Sequence, residues 1–169
     1  MYSQLKNILI SASPFLVSIP FSYFNLNNFN SNEPRALWQP PGYVFGIVWT
    51  TLYTLLFIMN YLILSKNSFS DSFKNTVARD TLIEAALQGL WLNNFRSQQG
   101  MNITNNQYFI SMITLMIILA FAIYRIYFFF FNKPPSSKLF YIALLYIPYF
   151  LWINLANILN IQLYLFFRF

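Results

Sequence analysis

The stretch Gly42–Leu64 reads GYVFGIVWTTLYTLLFIMNYLIL and contains no Asp, Glu, Lys or Arg. At 1.5 Å of rise per residue, about 20 apolar residues cross the hydrocarbon of a bilayer, so this stretch reads as a membrane-spanning helix. Working outward, residues 7–24, 107–128 and 139–165 have comparable length and apolarity, with Arg125 near the end of the second of these. A fifth stretch, 76–96, is more polar. Glu84 interrupts it, and Arg79, Asp80 and Arg96 stand near its ends, where long side chains can snorkel to the interface. The spacing of Thr81 and Glu84 matches a capping box and is read as a local helix start, with a functional intramembrane acid at Glu84 as the alternative. The expectation is an all-α membrane protein, a five-transmembrane-helix bundle forming one domain over residues 1–169.

Composition agrees with this reading. Hydrophobic residues make up 57% of the 169 and charged residues only 8%, far below the roughly 25% of soluble domains. A soluble domain of this size would need more polar side chains to cover its surface. The net charge of +6 does not indicate nucleic acid, because the Lys and Arg residues are scattered and form no basic patch. Histidine and cysteine are both absent, which removes disulfides, Cys/His metal sites, thiol nucleophiles and the usual haem axial ligands. The apolar segment after Lys6 runs on through Phe24 without a convincing cleavage site, so it is read as a retained span rather than a signal peptide.

The connections are short except for residues 25–41, which begin Asn-rich and end in Trp38-Gln39-Pro40-Pro41. Five crossings place Lys6, Lys66, Lys74, Arg79, Lys133 and Lys138 on one side and Arg35, Arg96 and Arg168 on the other. The positive-inside rule then puts the N-terminus inside and the C-terminus opposite.

Two patterns carry candidate site residues. Phe45, Trp49, Tyr53, Phe57 and Tyr61 recur at steps of four and share one helix face, as core packing or as a ligand wall. Trp152, Ala156 and Asn160 recur at the same step in the last span, and Asn154, Asn157 and Asn160 step by three. Amides in hydrocarbon need partners, found either on a neighbouring helix or on a ligand. Leu159, Tyr164 and Arg168 also satisfy a loose cholesterol-recognition pattern, for which interfacial anchoring is the preferred reading.

The run Trp38-x-Pro40-Pro41-Gly42-Tyr43-Val44-Phe45-Gly46-x-Val48-Trp49-x-x-Leu52-Tyr53 resembles the second helix of the translocator protein (TspO/MBR) family, and Pro148-Tyr149-x-x-Trp152-x-x-x-Ala156-x-x-Leu159-Asn160 resembles its fifth. Leu92-Asn93 looks like the family's Leu-Asn pair in the third helix. Gln88, however, lies five residues ahead rather than four, and Phe95-Arg96-Ser97 departs from the family's aromatic continuation. The first helix offers Ser11, Ser13 and Ser18 in place of the family's glycine-rich face. The resemblance implies a homodimer of five-helix protomers, each with a pocket closed by the loop between the first two helices. Carried over, Trp38, Pro40 and Pro41 form the lid and rim, Trp49 and Trp152 flank the ligand, and Tyr53, Asn93 and Ala156 complete the floor.

The resemblance further implies hydrophobic ligands: tetrapyrroles such as porphyrins and, in animal relatives, sterols, bound for transport or sensing. No cofactor is required, and with no His or Cys in the chain a porphyrin held by stacking is favoured over haem held by ligation. The alternatives are a porphyrin-degrading enzyme and an ion or solute transporter. No triad, metal site or acid/base pair is readable in the sequence, so binding is expected ahead of catalysis. Relatives occupy the mitochondrial outer membrane in eukaryotes and the cell envelope in bacteria.

Overall fold

The computed structural model describes residues 2–18, 39–97, 105–131 and 137–166. Most of the long loop expected over residues 25–41, including Trp38, lies outside them. All regular structure among the described residues is helical: α1 (Tyr2–Ser11), α2 (Gly42–Ser65), α3 (Asp71–Ser97), α4 (Asn105–Phe130), α5 (Ser137–Ala143), a 3-10 turn (Leu144–Tyr146) and α6 (Ile147–Phe166). Residues 13–18 are helical again after a turn at Ala12.

Two prolines explain the local breaks, since a proline has no N–H for the carbonyl four residues back. Pro14 leaves the Ile10 carbonyl without that donor, and the Ser13 hydroxyl donates to it at 2.8 Å instead. Pro148 likewise cannot reach Leu144, whose carbonyl accepts from the Ile147 N–H. The chain tightens to a 3-10 turn there and continues as α6, so that Ser137–Gln162 forms one continuous helical stretch.

Three stretches are long and apolar enough to cross a membrane: Tyr43–Ser65, Phe109–Phe130 and Ser137–Gln162. The protein is therefore an integral membrane protein of long helices, but the five spans expected from the sequence reduce to three by this measure among the described residues. The first candidate is described only through residue 18. The other, α3, has 27 residues, ample for a crossing, but too many charges and amides to qualify.

Why α3 is polar becomes clear from its faces. Buried against the bundle are Val77, Asp80, Thr81, Glu84, Ala85, Gln88 and Trp91, whereas Leu82 (48%), Ile83 (40%) and Leu90 (58%) are exposed. Between Asp80 and Leu90 the polar side chains all point in while Leu82, Ile83 and Leu90 point out, the reverse of a helix on a water-soluble protein. The capping-box reading is corrected by the same element. The helix begins ten residues earlier than Thr81, at Asp71, where Ser70 Oγ accepts from the Phe73 N–H at 3.3 Å. Thr81 Oγ1 donates instead to the Val77 carbonyl at 2.8 Å, as a mid-helix threonine does.

Helix α4 packs along both α3 and α6. It runs antiparallel to α3: the Tyr124 hydroxyl donates to Asp80 Oδ2 at 3.1 Å near one end, and Asn94 Nδ2 donates to Thr114 Oγ1 at 3.3 Å near the other. On α6, Asn157 Nδ2 donates to the Leu115 carbonyl at 3.2 Å and to its own Ile153 carbonyl at 2.9 Å. Ser111 Oγ donates to Asn160 Oδ1 at 3.3 Å. These amides join helix to helix, each such bond being worth about 0.6–2 kcal/mol in a bilayer. Residues 13–18 close the other side, where Phe15 meets Tyr53 edge-on at 5.6 Å. Gly89 permits that approach, since a Cβ there would sit 2.5 Å from Val17 Cγ1.

Candidate functional site

Helices α2, α3 and α6 each bring one tryptophan to the same level of the bundle. The Trp49 ring lies 5.6 Å from Trp91 at 40° and 6.4 Å from Trp152 at 90°, and its own helix adds Tyr53 at 5.4 Å. Phe45 covers Trp152 from above, edge-on at 5.6 Å. The step-of-four pattern of α2 explains Phe45, Trp49 and Tyr53, because residues one turn apart stack along one face. Phe57 and Tyr61 continue the stripe as a parallel pair 6.0 Å apart, further along α2.

Of the residues singled out in the sequence, Trp49, Tyr53 and Trp152 come together here, and Ala156 is buried one turn beyond Trp152. Pro40 is half-buried and Pro41 exposed at the start of α2, while Trp38 lies outside the described residues. Asn93 is exposed and does not join the cluster. Its place is taken by Trp91, two residues earlier and about 200° away around the helix at 100° per residue. The signal for Trp91 was present in the sequence, since it continues the spacing of Asp80, Glu84 and Gln88 at steps of three and four.

The Trp152 ring is half-buried, and its Nε1–H has no hydrogen-bond partner among the described residues. A buried indole N–H usually finds an acceptor, so this is a directed polar point in an otherwise apolar cluster. Leu159, from the cholesterol-like pattern, is 4% exposed and turned inward, Tyr164 packs on Phe109 at 5.8 Å, and Arg168 lies outside the described residues.

Beneath the tryptophans lies a polar layer that the sequence reading did not assemble. Gln88 Nε2 donates to the Tyr149 hydroxyl at 2.7 Å. One turn below, the Tyr146 hydroxyl donates to Glu84 Oε1. Arg125, read from the sequence as lying near the end of a span, is fully buried. Its Nη2 donates to Asn60 Oδ1 at 3.3 Å, and its guanidinium lies 5.0 Å and 5.4 Å from the Phe129 and Tyr146 ring centres. Such cation–ring contacts are worth about 2 kcal/mol when desolvated. The lowest member, Asp80, accepts from Arg79 Nε at 2.9 Å and forms an ion pair with it at 2.7 Å.

Among the described residues no group of three or more His, Cys, Asp or Glu side chains is placed to hold a metal ion. The arrangement offers flat aromatic faces and the Trp152 Nε1–H above a layer of buried polar groups.

No curated protein and no solved structure is significantly similar to the chain. The family comparison does find a match, and it covers both helices that supply the outer tryptophans. The TspO/MBR family model matches residues 11–165, and the chain belongs to that family.

Proposed function

We propose that the protein binds a flat hydrophobic ligand against Trp49, Trp91 and Trp152, most directly a tetrapyrrole such as a metal-free porphyrin, with sterols as a second class, for transport or sensing. The observation that carries this reading is the convergence of three tryptophans from three helices, with ring centres 5.6 Å and 6.4 Å from Trp49. A macrocycle matches such faces by area and by ring geometry, each aromatic pair adding about 0.5–1.5 kcal/mol beyond burial. The Trp152 Nε1–H supplies a hydrogen bond to an acceptor on the ligand. Trp38, Pro40 and Pro41 complete this proposal as the covering segment, and a homodimer as its assembly.

Titrating protoporphyrin into the detergent-purified protein and following tryptophan quenching tests the reading. Replacing Trp49 and Trp152 together by Ala should weaken binding at least tenfold, about 1.4 kcal/mol. Unchanged affinity in that variant sinks the site assignment. A sterol that fails to compete with the porphyrin would remove the second ligand class.

A further inference from the structure

Nothing in the ligand site employs Asp80, Glu84, Asn60 or Arg125, yet each is no more than 1% exposed. Asp80, Glu84 and Gln88 recur every four residues, so α3 carries three buried polar side chains in file along one face. The file starts at Asp80, which is paired with Arg79, whose side chain is 62% exposed. It ends at Gln88 and Tyr149, one turn below Trp91 and Trp152. From Glu84 to Trp91 the rise is about 10 Å.

The pairing along this file is incomplete on both sides. Arg125 Nε and Nη1 and Asn60 Nδ2 are donors, and Gln88 Oε1 an acceptor, with no hydrogen-bond partner among the described residues, and the Tyr149 hydroxyl is the one donor toward Glu84 Oε2. The only ion pair among those residues is Arg79–Asp80, so Glu84 and Arg125 influence one another without touching. Leaving so many groups unpaired in hydrocarbon would cost several kcal/mol each. An anion would satisfy the donors alone, and a cation the acceptors alone. Water both donates and accepts, and is the usual occupant of polar interiors. Ionisable side chains inside membrane bundles characteristically line such paths.

We propose that the α3 file, with Asn60 and Arg125 opposite, is a hydrated path that admits water and solvent protons from the membrane surface at Arg79–Asp80 to the floor of the tryptophan cluster. The groups facing Glu84 come from every neighbouring element: Asp80 on α3, Arg125 on α4, Tyr146 on the 3-10 turn, Tyr149 on α6 and Tyr53 on α2. The path stands whether or not a porphyrin binds above it.

The chain contains no cysteine, so a single introduced thiol gives an isolated S–H stretching band in the infrared. Thr81 is fully buried on the file face and near in size to cysteine, Gln88 stands at its inner end, and Ile118 is an apolar core position on α4. In purified Thr81→Cys and Gln88→Cys, transfer into D2O should convert S–H to S–D at least tenfold faster than in Ile118→Cys. Conversion in both file variants no faster than in Ile118→Cys overturns the proposal. If Gln88→Cys does not fold, Thr81→Cys, which leaves Glu84, Gln88 and Arg125 in place, decides alone.

Discussion

Tyr146 sets the state of the interior by donating its hydroxyl to Glu84 while its ring faces the Arg125 guanidinium. Tyr146→Phe keeps the ring and removes the donor, so a buried carboxylate loses its bond at a cost of about 1–3 kcal/mol. The thermal midpoint of the purified protein should fall accordingly. Tyr141→Phe, at a side chain 69% exposed, should leave it unchanged. At this scale the sequence was uneven as a guide. Trp49, Tyr53 and Trp152 were legible because a step of four on a long apolar helix fixes a face. Glu84 was misread because the spacing of a capping box is also the spacing of neighbours in mid-helix, and only the position of the true start at Ser70 and Asp71 separates the two. Asn93 was assigned from its family pair, but the phase of α3 turns it to the exterior.

Among the elements, α3 shows most clearly why summed hydropathy is a poor guide to a helix with two unlike faces. Its charges and amides lower the average, while its outer surface of Leu82, Ile83, Ala86 and Leu90 suits lipid. Leu90→Lys should therefore disrupt membrane integration or stability by up to about 2.5–3.5 kcal/mol, the cost of a charge at a lipid-facing helix centre. A variant that integrates and melts like the native protein would show that this face does not meet lipid. By contrast α2, α4 and the long α5–α6 unit were legible from composition alone, because apolar residues dominate on all their faces. Pro148, a helix breaker by its chemistry, does not end the last unit, since the preceding 3-10 turn takes up the carbonyl it cannot satisfy.

At the scale of the molecule, family membership and the order of helices could be read in advance, whereas the interior could not. Polar residues distant in sequence, such as Asn60, Glu84 and Arg125, meet only once the helices are arranged, and no local pattern encodes that meeting. The arrangement does place Lys6, Lys74 and Asp71 around one cleft together with the end of α2. The C-terminal end of α6 lies at the other end of the bundle, near the start of α4, where Tyr164 packs on Phe109. Protease-cleavable tags on the two termini should accordingly be cut from opposite sides of the membrane, with the N-terminal tag on the inner side under the positive-inside rule. Cleavage of both tags from one side would overturn this topology.

The inverted faces of α3 also bear on how the chain enters the bilayer during synthesis. Of the helices that shelter its polar side, α2 is made earlier, but α4, with Arg125, and the Tyr146–Tyr149 segment are made later. A nascent chain ending just beyond α3 would expose Glu84 and Asp80 to lipid without those companions, a state the bilayer disfavours. Integration of α3 should thus await residues not yet translated when the helix itself leaves the ribosome, so that a chain ending at residue 104 should integrate α3 less completely than the full chain. The protein is then expected to commit to the membrane in an order different from the order in which it is written.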